Sequence, residues 1–205
     1  MPKAWIRQRA KDYYYQRAKR ESYRSRAAYK LLQAVKKHRF IEPGDVVVDL
    51  GAAPGGWTQA SRKIVGEEGF VLGVDLKQIQ PTGLSNVHTI TLDITDPQAI
   101  EHIAALLPRP ADVVVSDVSP DLSGIWELDH ARQIDLARKS LQIATSILKP
   151  GGNLFVKAFQ GDIFNEFLKD VRGHFRFVKL VKPKASRTRS SEIYILGISL
   201  KQADY

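Results

Sequence analysis

VVVDLGAAPGGWTQA, residues 46–60, is the stretch on which the fold turns. It opens as a continuous β-branched and apolar run, the pattern of a strand buried on both faces. The run carries Asp49 and passes into a glycine-rich turn (Gly51, Gly55, Gly56), after which the sequence turns helical. Strand, glycine loop and helix make the first βα unit of an open α/β sheet, whose crevice is the usual place for a ligand. Outward from this unit the same alternation repeats. FVLGVD (70–75), VHTITL (87–92), DVVVSD (112–117) and NLFVKAF (153–159) read as strands, and residues 55–65, 97–107, 129–148 and 162–173 as crossover helices. Pro150-Gly151-Gly152 is expected to end the long helix in a sharp turn. FRFVKLVKP (175–183) and EIYILGISL (192–200) have no helix between them and should pair antiparallel. The expectation is a single α/β, doubly wound, mostly parallel seven-stranded sheet with an antiparallel last strand, forming a hairpin at one side.

The chain has 205 residues, 43% hydrophobic and 26% charged, enough for one globular domain with a real core. It has no cysteine, which excludes disulfides, thiolate zinc sites and a cysteine nucleophile. Five scattered histidines lack ligand spacing, so no metal is expected. No apolar run approaches a membrane span and the N-terminus has no signal-like apolar core, so a soluble, cytoplasmic protein without membrane contact is expected.

Charge is unevenly spread. Residues 1–39 hold 13 Lys/Arg against two acids, Asp12 and Glu21, while the remainder has 18 basic and 20 acidic residues. A second acid-free patch contains Lys179, Lys182, Lys184, Arg187 and Arg189. Such separation points to a polyanion partner. Residues 1–39 therefore read as a basic helical segment for polyanion contact, and residues 40–205 as the α/β domain. Ser25 is a candidate cap for a helix striped by Ala28, Leu31, Leu32 and Val35. Tyr13, Tyr14, Tyr15 and Tyr23, interleaved with arginines, could stack on unpaired bases or pack the helix onto the sheet.

The loop at 51–57 is not the dinucleotide G-x-G-x-x-G, and there is no P-loop. A stiff turn containing Pro54 suits S-adenosylmethionine better than NAD. Asp75, Asp93 and Asp117 close three successive strands, where carboxylates can meet ribose hydroxyls and the adenine edge. Each alone fits a turn or helix cap, but together they face one crevice. Lys157 interrupts an apolar strand, which is costly unless the ammonium is paired or reaches solvent. Lys30 and Glu192, taken alone, read as a helix lysine and a strand-opening acid.

SRAAYKL, DLGAAPGGW, GVDL, SDVSPDLSG, LKPGGNLFVKAFQG and SRTRSSEIYI, in this order from Ser25 to the end, resemble the FtsJ-type RNA ribose 2′-O-methyltransferases. The resemblance implies a Rossmann-like S-adenosylmethionine-dependent methyltransferase fold and a catalytic set of Lys30, Asp117, Lys157 and Glu192. It places the cofactor on Gly55, Trp57, Asp75, Asp93 and Asp117. Within the family the likeness is to archaeal members that methylate a uridine ribose in large-subunit rRNA, working as monomers. A tRNA anticodon-loop ribose is the competing substrate. Two departures stand out. Ser119-Pro120-Asp121 replaces a frequent Ala-Pro-Asn, which leaves the catalytic set intact and bears on how a base is held. Some archaeal relatives carry a C-terminal RNA-binding domain, whereas this sequence stops after its last strand. RNA contacts are then expected from the N-terminal segment, the 179–189 patch or a ribosomal partner.

A ribose hydroxyl is a weak nucleophile, so its enzyme must position it and deal with its proton. Lys157 is the candidate base or orienting group. Burial and Lys30 would lower its pKa, while Asp117 and Glu192 would raise it. A non-catalytic RNA-binding factor and a small-molecule methyltransferase remain as alternatives. The first is disfavoured by intact Lys157, Asp117 and the glycine loop, the second by the basic segment.

Overall fold

In a computed structural model, residues 12–187 and 190–202 are described. Two helices, α1 (Tyr13–Arg20) and α2 (Ala28–His38), precede the sheet. Then follow β1 (Val46–Leu50), α3 (Gly56–Val65), β2 (Phe70–Asp75), β3 (Val87–Thr91) and α4 (Ala99–Ala105). The second half consists of β4 (Ala111–Ser116), α5 (Trp126–Ile147), β5 (Leu148–Phe159), α6 (Phe164–His174), β6 (Phe175–Val181) and β7 (Glu192–Leu200). Strand order is β3-β2-β1-β4-β5-β7-β6, with only β7 antiparallel to its neighbours.

The strands form where the buried apolar runs fall, and alternation of side chains builds two cores. Val46, Val48 and Leu50 join α4, α5 and α6 on one face, through Ile103, Ile134 and Phe167. Val47, Val113 and Phe155 join α2 and α3 on the other, through Leu31, Val35 and Trp57. Thus α2, part of the basic segment, contributes directly to the core. Among the described residues, no helix is long and apolar enough to cross a membrane.

Two local expectations are corrected. Ser25 does not cap α2: Ala27 stands at the cap position with no side-chain bond. The Ser25 hydroxyl instead packs where a Cβ on Gly56 would have to go. Pro150-Gly151-Gly152 does not simply end a helix, because β5 has already begun at Leu148, paired with Ala111. The positive φ of Gly151 (+80°) lies within this stretch, and the ladder shifts register between Ala111 and Val113. β6 and β7 pair antiparallel as expected, with β7 lying between β5 and β6.

The tyrosines divide. Tyr14 and Tyr23 pack their rings on Tyr29, each at 5.6 Å, and the Tyr14 hydroxyl accepts from Gln33. Tyr13 stays exposed. Residues 1–11 and Arg189 lie outside the described residues.

Candidate active site

The carboxyl ends of β1, β2 and β4 open on a crevice of about 340 Å³, lined among others by Gly51, Ala53, Asp75, Asp93, Asp117 and Val118. That volume suits a small-molecule ligand. Gly51 has φ +76°, and a Cβ there would come within 2.8 Å of the Val118 backbone. Only glycine lets the two strand ends approach so closely. Asp75 accepts from the Ala53 N–H (2.9 Å) and the Lys77 N–H (2.8 Å), one on each oxygen. A carboxylate has about four acceptor sites, so capacity remains for a pair of hydroxyls. Asp93 is exposed at the crevice, and Oδ1 accepts from the N–H and hydroxyl of Thr95, bonds that hold its carboxyl below the usual range.

Gly55 and Trp57 lie outside this lining. Gly55 (φ +109°) turns the chain into α3, and a Cβ there would meet the Arg24 guanidinium. The Trp57 indole points away from the crevice, donating to the Ala27 carbonyl (2.7 Å) and packing on Phe155 and Tyr194. What Trp57 leaves available is its backbone N–H in the first turn of α3. The first N–H of this turn with an intrahelical partner is that of Gln59, which bonds Gly55.

Asp117 belongs to the crevice and also to a second group behind it. Lys157 is 5% exposed; its ammonium donates to the Asp117 carbonyl (2.7 Å) and lies 3.2 Å from the carboxylate. The burial that makes a lone lysine costly is met here by a fixed anion. Lys30, in the first turn of α2, donates to Glu192 (2.7 Å) and to the Tyr194 hydroxyl (3.0 Å), and stands 3.9 Å from Asp117. The Tyr194 hydroxyl in turn donates to Asp117 (2.7 Å), and Ser186 donates to Glu192 (2.8 Å). Burial pushes the Asp117 carboxyl up. Lys157, Lys30 and the Tyr194 hydroxyl outweigh it and hold the group below the usual range. Tyr194 is driven well above its ordinary value by burial and by the neighbouring carboxylates, so its hydroxyl keeps its proton.

All four sequence candidates for catalysis are therefore brought together. Antiparallel register does this: β5 and β7 set Lys157 opposite Tyr194 and Phe159 opposite Glu192. The chain belongs to the FtsJ-like methyltransferase family. The model of that family matches residues 23–200, covering both the crevice and the charged group. The chain is similar to "Ribosomal RNA large subunit methyltransferase E" of Methanothrix thermoacetophila, 52% identical over 94% of this chain and 74% of the relative. The same-named protein of Methanococcus aeolicus is 48% identical over 95% of this chain and 72% of its own length. Among solved structures, a ribosomal RNA methyltransferase from Plasmodium falciparum superposes with TM-score 0.77 at 25% identity, over 88% of this chain and all of that one.

Sequence reading missed three members of this FtsJ-like site. Tyr194 bridges Lys30 and Asp117, yet in EIYILGISL it reads as one more strand aromatic. Gln133, buried on α5, donates to the carbonyls of Val118 (3.2 Å) and Lys157 (3.3 Å), tying together the two segments that present Asp117 and Lys157. Arg24 donates to the Pro81 carbonyl (3.0 Å) while Gln59 accepts from its N–H (2.8 Å), strapping the N-terminal segment over the loop after β2. None of these has a local sequence signal.

Proposed function

We propose that this methyltransferase uses S-adenosylmethionine to methylate a ribose 2′-hydroxyl, that of a uridine, in large-subunit rRNA. One observation carries the reading: the buried Lys157 ammonium is held on Asp117, and Asp117 also rims the ligand crevice. An acceptor hydroxyl placed at Lys157 thus abuts the cofactor site. The relatives' names support rRNA as the substrate class.

The residues of the crevice fit the cofactor. Asp75 would hold the ribose hydroxyls and Asp93 the adenine edge, while the N–H groups of the first turn of α3, Trp57 among them, suit a carboxylate. When bound, S-adenosylmethionine supplies a methyl group already activated on a sulfonium. Lys157 orients the 2′-oxygen: as a neutral amine it takes the hydroxyl proton, and as the ammonium it stabilises the negative charge developing on that oxygen while solvent takes the proton, with Asp117 fixing where the nitrogen stands. Lys30 and Glu192 complete the charged group around Asp117 and line a second pocket with Arg26 and Arg187. Residues 1–39 form the RNA-contacting segment of this reading, a division of charge that the shared core of α2 crosses.

The test maps ribose methylation in large-subunit rRNA after incubation with S-adenosylmethionine and either wild type or Lys157→Ala. The variant should lose roughly 10²–10⁴-fold in turnover with cofactor affinity preserved. Turnover near wild type removes Lys157 from the chemistry. Methylation confined to tRNA would replace the substrate.

A further inference from the structure

Four large apolar side chains stay exposed within one short stretch beside the catalytic pair: Leu122 (67%), Ile125 (58%), Trp126 (44%) and Leu128 (39%). Single exposed apolar residues are ordinary, but a group clustered where a loop enters α5 marks a contact surface. The aromatic part is held in place. Trp126 lies nearly parallel to His130 (5.5 Å, 12°) and to Phe159 (6.1 Å, 18°), while His130 is buried against Gly161.

Its position relates it to the chemistry. Residues 117–125 lead from Asp117 directly to Trp126. Phe159 is two residues beyond Lys157, about 7 Å along the strand. Trp126, His130 and Gln133 share one side of α5 at i, i+4 and i+7. The same Gln133 fixes the carbonyls of Val118 and Lys157, so aromatic surface and catalytic pair share one frame.

Charge selects the occupant. From residue 110 to 131 there is no Lys or Arg, while Asp117, Asp121, Glu127 and Asp129 are all acidic. A phosphate backbone would be repelled here. The cations lie on the α2 side of the centre, where Arg26, Lys30 and Arg187 with Glu192 line a pocket of about 280 Å³. α2 and α5 pack on opposite faces of the sheet. A strand crossing the centre with its phosphates on the cationic side would turn a base toward Trp126.

We infer that Trp126, flanked by Leu122 and Ile125, is a stacking platform for an unpaired RNA base at or beside the methylated ribose. The inference rests on the proposed function and adds to it the site that seats the base. Aromatic stacking is tolerant of base identity and insensitive to salt, unlike phosphate contacts.

The test compares binding of a short oligouridine and an abasic ribose-phosphate oligomer of equal length by wild type, Trp126→Ala, Trp126→Phe and Leu122→Ser. Trp126→Ala should weaken oligouridine binding about 5- to 100-fold. Its affinity for the abasic oligomer and its salt slope should stay at wild-type values. Trp126→Phe should restore most of the loss, and Leu122→Ser, on the rim, should lose less than Trp126→Ala. On a large-subunit rRNA transcript, KM should rise for Trp126→Ala. Unchanged oligouridine binding, or equal loss on both oligomers, overturns the platform. So does a defect seen only on assembled ribosomal subunits, which would mark a protein contact. If wild type methylates no ribose, the proposed function fails. If wild type and Trp126→Ala methylate with equal KM, only the platform does.

Discussion

Asp49 and Asp117 stand at the ends of neighbouring strands, bridged by the bond from the Asp117 N–H to the Leu50 carbonyl (3.1 Å), and they ionise in opposite ways. Asp49 is fully buried, with the Thr58 hydroxyl on one oxygen (2.7 Å) and no hydrogen-bond partner for the other. Burial first, opposed by the Thr58 hydrogen bonds and helped by the Asp117 and Asp75 carboxylates, raises it to about 7. Asp117 is also shielded from water but faces two ammoniums and a tyrosine hydroxyl, and is lowered. Burial alone therefore does not set the charge. The neighbouring cations do, and they come from α2 and β5, which flank Asp117.

Asp117→Asn should break this contrast most severely. Lys30 and Lys157 would lose the anion they share, and removing one partner of a buried ion pair costs roughly 3–5 kcal/mol. Denaturant unfolding at neutral pH measures it, and methyl transfer should fall with it. Since the folded-state value of Asp117 is lowered, its contribution is complete above the ordinary value of about 3.9 and disappears as pH falls through the lowered one. The variant should lack that acid-side loss. Unchanged stability across the whole range would show that the ammoniums do not depend on Asp117.

Asp49→Asn probes the opposite sign. Between about pH 4 and the folded-state value of about 7, the folded protein holds a proton that the unfolded chain has released. Wild-type stability should therefore contain a term that falls as pH rises across this window, by up to about 4 kcal/mol, and levels off above it. Asparagine, which can still accept from Thr58, should remove the slope. Parallel curves for variant and wild type between pH 4 and 8 would contradict a raised Asp49.

Tyr194→Phe is the gentlest probe. It deletes the hydroxyl between Lys30 and Asp117 but keeps the ring stacked on Phe155 (4.7 Å). A hydrogen bond to a charged group is worth about 1.5–3 kcal/mol, and a thermal shift of corresponding size is expected. No shift would mean that the two ammoniums alone account for the lowered Asp117.

The same contrast explains what could be read in the sequence. β1, β2 and β4 were legible because each is a self-contained apolar run whose burial needs no knowledge of its partner. The start of α5 was less so. The helix begins at Trp126, three residues before the expected 129, and Asp129 inside it accepts from the N–H groups of Ser123 and Gly124, closing the loop back on the helix. That β7 is antiparallel was legible; its order between β5 and β6 was not. Adjacent runs suggest a hairpin, whereas insertion beside β5 is decided by packing against Val156 and Phe155, far away in the chain. Lys30, Asp117, Lys157 and Glu192 were singled out through family motifs, and the fold brings them together. Tyr194 and Gln133 act only through the assembled fold, and their local patterns are those of core residues.

Placing β7 between β5 and β6 has a consequence in time. The bond from Lys30 to Glu192 joins residues 162 positions apart, so the earliest member of the charged group waits for one of the latest. The segments that build the crevice, from Gly51 to Leu136, are synthesised before β5 begins. Lys157 follows, but its partner strand carrying Tyr194 and Glu192 emerges only after β6. Contacts of such long separation form late in folding. A growing chain can thus shape its ligand crevice well before the charged cluster closes, which waits for β7 to pair with β5 and carry β6 to the edge.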